Sequence, residues 1–291
     1  MELIRNFEHN KKLRGSFNEL ATNTFGISFE DWYEKGFWTE KYSPFSIVQN
    51  EKIIANVSAN KVELIINNEK KRGIQIGTVM THPDFRKLGL SRKLMEIVLE
   101  HYENQYDFMY LFANSTVLDF YPKFGFKRVP EHQFTMNIPS RIIPVRRVTK
   151  LNGTDSEVLN RIFQYSRGRL PVSFIFGSEN SQELLMFYCL NVFSQDIYYI
   201  DDLDLFTIHM HDGETLHLFD VISQKEVTIS DVINRIANED TKNVVFHYTP
   251  DYRDIVISKK LIDTENDVLF IKIKNNLDLP EYFKHPITVQ A

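Results

Sequence analysis

"TVMTHPDFRKLGLSRKLMEIV", residues 78–98, joins a strand-like run to a helix-like run through a short basic loop containing one glycine. Upstream, "GIQIGTVMTH" (73–82) reads as a strand; downstream, Leu94, Ile97, Val98 and His101 recur at i, i+3, i+4 and i+7, the spacing of an amphipathic helix. Such a junction leaves the first N–H groups of the helix unpaired and facing the loop. Their dipole, equivalent to about half a positive charge, makes an anion seat. Gly89 lets an anion approach the backbone, and Arg86, Lys87 and Arg92 add charge around it. The pattern is neither GxxxxGK[ST] nor the three-glycine dinucleotide turn.

Working outward, residues 11–35 are helix-compatible, with Leu13, Phe17 and Leu20 at helical spacing and Phe25, Phe29, Trp32 and Tyr33 beyond. "FSIVQN" and "KIIANVSANKVELII" read as strands separated by a turn at residues 49–51, pairing antiparallel with the strand that ends at His82. After the helix, "YDFMYLFAN" is a strand, residues 115–123 suit a short helix stopped by Gly125, and "HQFTMNI" is expected to close the unit. Pro139 and Pro144 with Arg141, Arg146 and Arg147 read as a linker, giving expected units 1–140 and 155–291 joined by 141–154.

The second half follows the plan of the first. Strand 74–81, helix 91–100, strand 108–112 and strand 134–138 are matched by strand 216–222, helix 230–237, strand 244–247 and strand 268–273. The region before 216 reads as helices around 156–166 and 182–193 and a hairpin turning at residues 211–214. Thr228 or Ser230 is expected to cap the last helix. The basic glycine junction has no counterpart: "SQKEVTIS" stands where "HPDFRKLGLS" stands in the first half.

The run from Thr78 to Ser91, with Asn114 seven residues before Tyr121 and the ending "YPKFGF", resembles the acetyl-CoA signature of the GCN5-related N-acetyltransferases (GNAT). Ser91 stands where that signature has glycine or alanine, and Val117 where a small alanine is common; serine remains small and keeps its N–H. The resemblance covers roughly residues 1–140, with specific motifs at 78–126. It implies an α/β (α+β) chain with the GNAT acyl-CoA N-acyltransferase fold, a mixed and mostly antiparallel central sheet flanked by helices. The repeat adds a second, degenerate GNAT-like domain without a cofactor site.

The resemblance also implies acetyl-CoA as cosubstrate. Its pyrophosphate would rest on the amides from Leu88 through Gly89, Leu90 and Ser91 to Arg92, near Arg86 and Lys87. Its pantetheine would run beside Met80 and Thr81, where two central strands splay, with Asn114 and Lys123 as further contacts. Tyr121 matches the acid that protonates the departing thiolate, and a backbone N–H near Met80 would polarise the carbonyl. The acceptor is an amine that attacks the thioester directly. A lysine-like amine is less than about 1% neutral at pH 7, so a base or a desolvated site must help. Glu34, Glu40 and His82 are base candidates, beside water-relayed deprotonation. Trp32, Phe37, Trp38 and Tyr42 form an aromatic wall that either lines the acceptor pocket or caps the core, and would suit an apolar amine or a cation over ring faces.

The remaining constellations take plainer readings. His209, His211 and His217 could converge toward a metal, but no fourth ligand is evident, and a polar sheet face is the better account. Asp201, Asp202 and Asp204 read as a solvated strand end. No metal is expected. A single cysteine, Cys189, lies in "LLMFYCL" and suits a buried packing role. A net charge of −5 with scattered basic residues argues against nucleic acid as partner. Without an apolar leader at Met1–Phe7 or a run of about 20 apolar residues, no membrane partner is expected and a soluble cytoplasmic protein is the default, a homo-oligomer being possible. The rival reading is a non-catalytic acyl-CoA-binding or regulatory module, and a longer acyl donor is compatible with the same motifs.

Overall fold

The computed structural model describes residues 1–138, 148–274 and 277–290. Its elements in chain order are β1 (Glu2–Arg5), α1 (Lys11–Phe25), α2 (Glu30–Glu34), β2 (Tyr42–Gln49), β3 (Lys52–Ile66), β4 (Glu69–Thr81), α3 (Leu90–Tyr102), β5 (Phe108–Ala113), β6 (Lys127–Arg128) and β7 (His132–Asn137). Then follow β8 (Val148–Leu151), α4 (Ser156–Ser166), β9 (Phe176–Glu179), α5 (Gln182–Asn191), β10 (Ile197–Ile200), β11 (Leu205–Asp212), β12 (Thr215–Ile222), α6 (Ile229–Ile236), β13 (Asn243–Phe246), β14 (Ser258–Leu261) and β15 (Val268–Ile273).

The chain builds two sheets on one plan. The first runs β1-β2-β3-β4-β5-β15-β6, with β9 added to the far end of β3; the second runs β8-β10-β11-β12-β13-β7-β14. Neighbours are antiparallel except β4 with β5 and β12 with β13, which are parallel and joined through α3 and α6. This is the mixed, mostly antiparallel sheet flanked by helices that the sequence implied.

The two sheets exchange their sixth-position strands. β7, expected to close the first unit, pairs with β13 and β14, and β15, expected in the second, pairs with β5 and β6. The expected boundary near residue 140 therefore does not separate the sheets. Pro139, Arg141, Pro144, Arg146 and Arg147 of the expected linker lie outside the described residues. Its last part is a strand, since β8 pairs with β10 through Val148–Leu151. The single helix read at 11–35 is two: the Asn10 side chain caps α1, and Gly26, at φ 74°, ends it through its N–H on the Thr22 carbonyl.

α3 covers one face of the first sheet, burying Leu94, Met95 and Val98 completely. On the other face the apolar stripe of α1 meets the second half. Phe17, Phe29, Trp32 and Trp38 share a core with Leu159 and Ile162 of α4, Leu185 and Met186 of α5, and Phe206 and Ile222 of the second sheet. Burying one such side chain is worth about 1.5–3 kcal/mol, so this shared layer makes the halves one packed body. Trp32 donates its indole N–H to the Glu183 carbonyl at 2.8 Å, and Lys41 pairs with the Glu183 carboxylate at 2.9 Å. Cys189 is fully buried in the same layer, and burial pushes its thiol pKa up.

Candidate active site

β4 and β5 pair only through Gly73–Gln75 with Phe108–Tyr110. Beyond that point β4 stays with β3 to Thr81, and β5 stays with β15 to Ala113, so the strands part. A bulge drives the divergence: Asn56 faces Met80 and Ser58 faces Gly77, leaving Thr78 and Val79 opposite one residue. Thr78 sits at φ 48°, a costly region for a β-branched residue. Its carbonyl accepts from Asn56 Nδ2 at 2.9 Å, and its hydroxyl lies 2.9 Å from the Tyr42 hydroxyl. Asn56 is itself fully buried and held by Ser46 and Ser58. A satisfied buried network thus fixes the backbone that opens the gap.

The gap is a cleft of about 720 Å³. Met80, Thr81, Arg86, Ser91 and Asn114 line one end, Tyr121 flanks it, and Trp32 and Tyr42 line the other. α3 begins at Gly89, φ 75°, with no side-chain cap, and Lys87 before it also has positive φ, at 66°. Two left-handed residues two apart fold the loop back so that the first α3 amides are presented together. The Thr81 and Ser91 hydroxyls, 2.7 Å apart, tie the end of β4 to the first turn of α3. Ser91, the departure from the sequence signature, is therefore a bracing residue.

The expected anion contacts separate into two kinds. Arg86, Lys87, Leu88, Gly89 and Arg92 are exposed at the rim, whereas Leu90 turns its side chain into the core and Met80 is 2% exposed, so both can offer the site only backbone. Asn114 Oδ1 accepts from the Thr116 N–H at 3.1 Å and caps the 3-10 turn Ser115–Val117, the first of two short turns in place of the helix expected at 115–123. The second, Tyr121–Phe124, is closed by Gly125 at φ 84° and holds Tyr121 against Phe126 and against Phe270 of the exchanged strand β15. Burial, with Tyr121 5% exposed, raises its phenol pKa to about 12. Lys123 is exposed and outside the cleft.

The acceptor residues are partly corrected. Trp32 and Tyr42 line the cleft, and burial holds the Tyr42 pKa at about 12. Phe37 and Trp38 do not: Phe37 packs on Phe163 of α4, and Trp38 meets Phe17 and Tyr33, because the turn after α2 directs them into the layer between the halves. Glu34 and Glu40 are exposed, and His82 accepts the Asp84 N–H, so none of the three base candidates reaches the cleft. Sequence reading missed Leu184, Phe187 and Tyr188 of α5, which line the cleft together with Phe29, Trp32 and Tyr42. α5 is apolar on nearly every side, so its periodicity does not show which face meets a ligand.

The histidine and aspartate groups disperse. His209 bonds Thr207 and is depressed to about pKa 3 by burial; His211 reaches the Ile236 carbonyl; His217 contacts His247. Asp202 pairs with Arg235 at 2.7 Å, and Asp204 accepts from Tyr199. Among the described residues no group of three His, Cys, Asp or Glu side chains could hold a metal, and no helix is long and apolar enough to cross a membrane.

Residues 10–129 match the family model described as "Acetyltransferase (GNAT) domain". Among solved structures, the chain is similar to a conserved protein from Enterococcus faecalis described as a probable N-acyltransferase: 14% identity, TM-score 0.60, covering 94% of this chain and 72% of that one. It is similar also to a GCN5-related N-acetyltransferase from Kribbella flavida, at 13% identity and TM-score 0.53, with 94% and 72% coverage. A third, a GCN5-related N-acetyltransferase from Anabaena variabilis, shares 11% identity at TM-score 0.51, with 94% and 73% coverage. At these identities the likeness speaks to the fold. No curated protein matches the sequence.

Proposed function

From the match of residues 10–129 to the GNAT acetyltransferase domain model, we propose that the chain transfers an acetyl group from acetyl-CoA to an amine acceptor. The observation that carries this reading is the splay of β4 from β5 between an uncapped, basic helix start and the buried Tyr121. The α3 amides, with Arg86, Lys87 and Arg92, receive the donor's pyrophosphate, the β4 edge at Met80–Thr81 pairs with its pantetheine, and Asn114 borders the arm. On this reading the second sheet is a degenerate repeat that holds no donor.

The reaction forms a C–N bond as the neutral amine attacks the thioester carbonyl and breaks the C–S bond without an acyl-enzyme. The Tyr121 hydroxyl gives its proton to the leaving sulfur, and the amine's proton leaves to water. A phenol with pKa near 12 is still protonated around pH 10, where even a lysine-like amine begins to be neutral, so acid and nucleophile coexist. Being far from the working pH, it is a modest acid, contributing about 10²-fold, the lower end for general acid catalysis.

Titrating the full chain with acetyl-CoA by calorimetry, and following thiol release across a panel of amines, tests the reading. One donor per chain with amine-dependent release is expected. Tight binding without release on any amine would favour a non-catalytic acyl-CoA-binding module, and two donors per chain would remove the degenerate role given to the second sheet.

A further inference from the structure

We propose that the acceptor is a weakly basic amine borne on an aromatic or otherwise apolar body, selected by a ring wall that the second half completes. The inference rests on the acyl-transfer reading above and names its substrate class. Phe29 sits at the centre of this wall, stacked on Tyr42 at 5.5 Å and on Phe187 of α5 at 5.2 Å, while Trp32 meets both neighbours edge-on at 87° and 90°. Leu184 and Tyr188 continue the surface.

Charge decides what such a wall accepts. Among the described residues lining the cleft there is no carboxylate and no histidine, and the one formally charged side chain is Arg86, a cation at the donor end. The nearest acid on α5, Glu183, is turned away and paired with Lys41. A polycationic acceptor entering here would give up its hydration without an anionic partner, which costs several kcal/mol. A cage that replaces the carboxylate with ring faces is not built either. The rings pack on one another, Phe29 stacking with both Tyr42 and Phe187 and Trp32 meeting those two edge-on.

The same feature bears on the base. A lysine-like amine with pKa about 10.4 needs deprotonation before attack, and among the described residues lining the cleft no carboxylate or histidine offers it. An amine on an aromatic ring, whose lone pair is delocalised, arrives neutral at pH 7. A cleft that lacks a base and carries an apolar wall is matched to an acceptor that needs neither a base nor an anion.

The test measures kcat/KM for thiol release from acetyl-CoA with para-anisidine, spermidine and kanamycin, using the full chain and its Phe187→Glu variant, and repeats the series with hexanoyl-CoA. The expected result is a preference for para-anisidine over both polyamines by about tenfold or more, the least that burying an unpaired charge implies. Phe187→Glu should narrow that preference by lowering para-anisidine turnover and raising spermidine turnover, with acetyl-CoA affinity by calorimetry unchanged. Equal or better turnover of spermidine or kanamycin by the native chain overturns the acceptor class and leaves acyl transfer standing. A preference for hexanoyl-CoA that Phe187→Glu abolishes, with no change in acceptor ranking, assigns the wall to the donor's chain and also overturns it. Thiol release on no amine, with acetyl-CoA bound, overturns the acyl-transfer reading and this inference with it. The native panel decides the matter even if the variant does not fold.

Discussion

In the first sheet β4 and β5 pair over Gly73–Gln75 and then part, and the gap between them is the cleft. In the second sheet β12 and β13 pair over Thr215–Leu218 and part at the same place in the strand order, but the gap is filled by the chain itself. Ile287 donates its N–H to the His247 carbonyl at the end of β13, and Thr288 donates to Asp220 on β12 at 2.7 Å. Arg169 adds a two-pronged ion pair on Asp220, at 2.9 and 2.5 Å. The helix starts differ in the same sense. α3 opens on a left-handed glycine with no side-chain cap, whereas the Ser230 N–H of α6 donates to the Asp254 carboxylate at 3.1 Å. One architecture thus appears twice, once with its strand gap and helix start exposed and once with both satisfied internally. The lesson is that an open cleft is made here by withholding the side chains that would otherwise complete the fold.

That contrast can be broken most severely at Asp220. Asp220→Ala leaves Arg169 buried without its ionic partner and should cost about 3–5 kcal/mol, read as a lower midpoint in urea unfolding. No new acetyl-CoA site is expected from it, because segment 287–289 still occupies the gap.

Tyr121→Phe sharpens the open side. It should lower kcat by about 10²-fold with donor affinity unchanged, measured by thiol release beside calorimetry. With a weakly basic acceptor already neutral at pH 7, the native chain's rate should be level from neutrality upward and show no descending limb below about pH 10, since the Tyr121 phenol loses its proton only near its pKa of about 12. A limb falling near neutrality would assign the acid elsewhere.

Gly89→Ala forces a side chain into the left-handed region at a cost of about 1–2 kcal/mol. No atom beyond the adjoining residues lies within 4 Å of the added carbon, so in the free protein the penalty is conformational. If the loop relaxes from this geometry, the seat is lost and acetyl-CoA binding should weaken by about 5–30-fold. The paired change Thr228→Ala, at the α6 start whose side chain makes no cap, should leave binding untouched. The smallest effect belongs to Asp254→Ala. Removing that carboxylate from α6 should cost about 0.5–1 kcal/mol in unfolding experiments and should not create a second donor site.

The end of this cleft between the start of α3 and Tyr121 was legible in the sequence because its signals are local. Glycine at 89 and 125, the basic loop between a strand and a helix, and the interval from Asn114 to Tyr121 are short-range features whose backbone geometry follows from residue type. The acceptor end was less legible. Trp32 and Tyr42 were singled out with Phe37 and Trp38 as one aromatic group, and a one-dimensional pattern cannot tell a ring facing a cleft from a ring facing a helix of the other half. The base candidates Glu34, Glu40 and His82 fail for the same reason: proximity in sequence to the aromatic segment is not proximity to the cleft.

The sequence by itself determined the order of elements, the repeat of that order, and which of the two helix starts carries a glycine in a basic loop. Alternation and capping act over a few residues, so they survive in a single chain read alone. Only the tertiary structure decided that β7 and β15 change places, that α5 supplies the far wall of the cleft, and that Arg169, Asp220 and Thr288 close its counterpart. Strand partners are chosen by edges and faces that become neighbours after folding. β15 is buried on both faces over Val268–Ile271 and β7 is mostly half-buried, but neither pattern names the strands it will pair with.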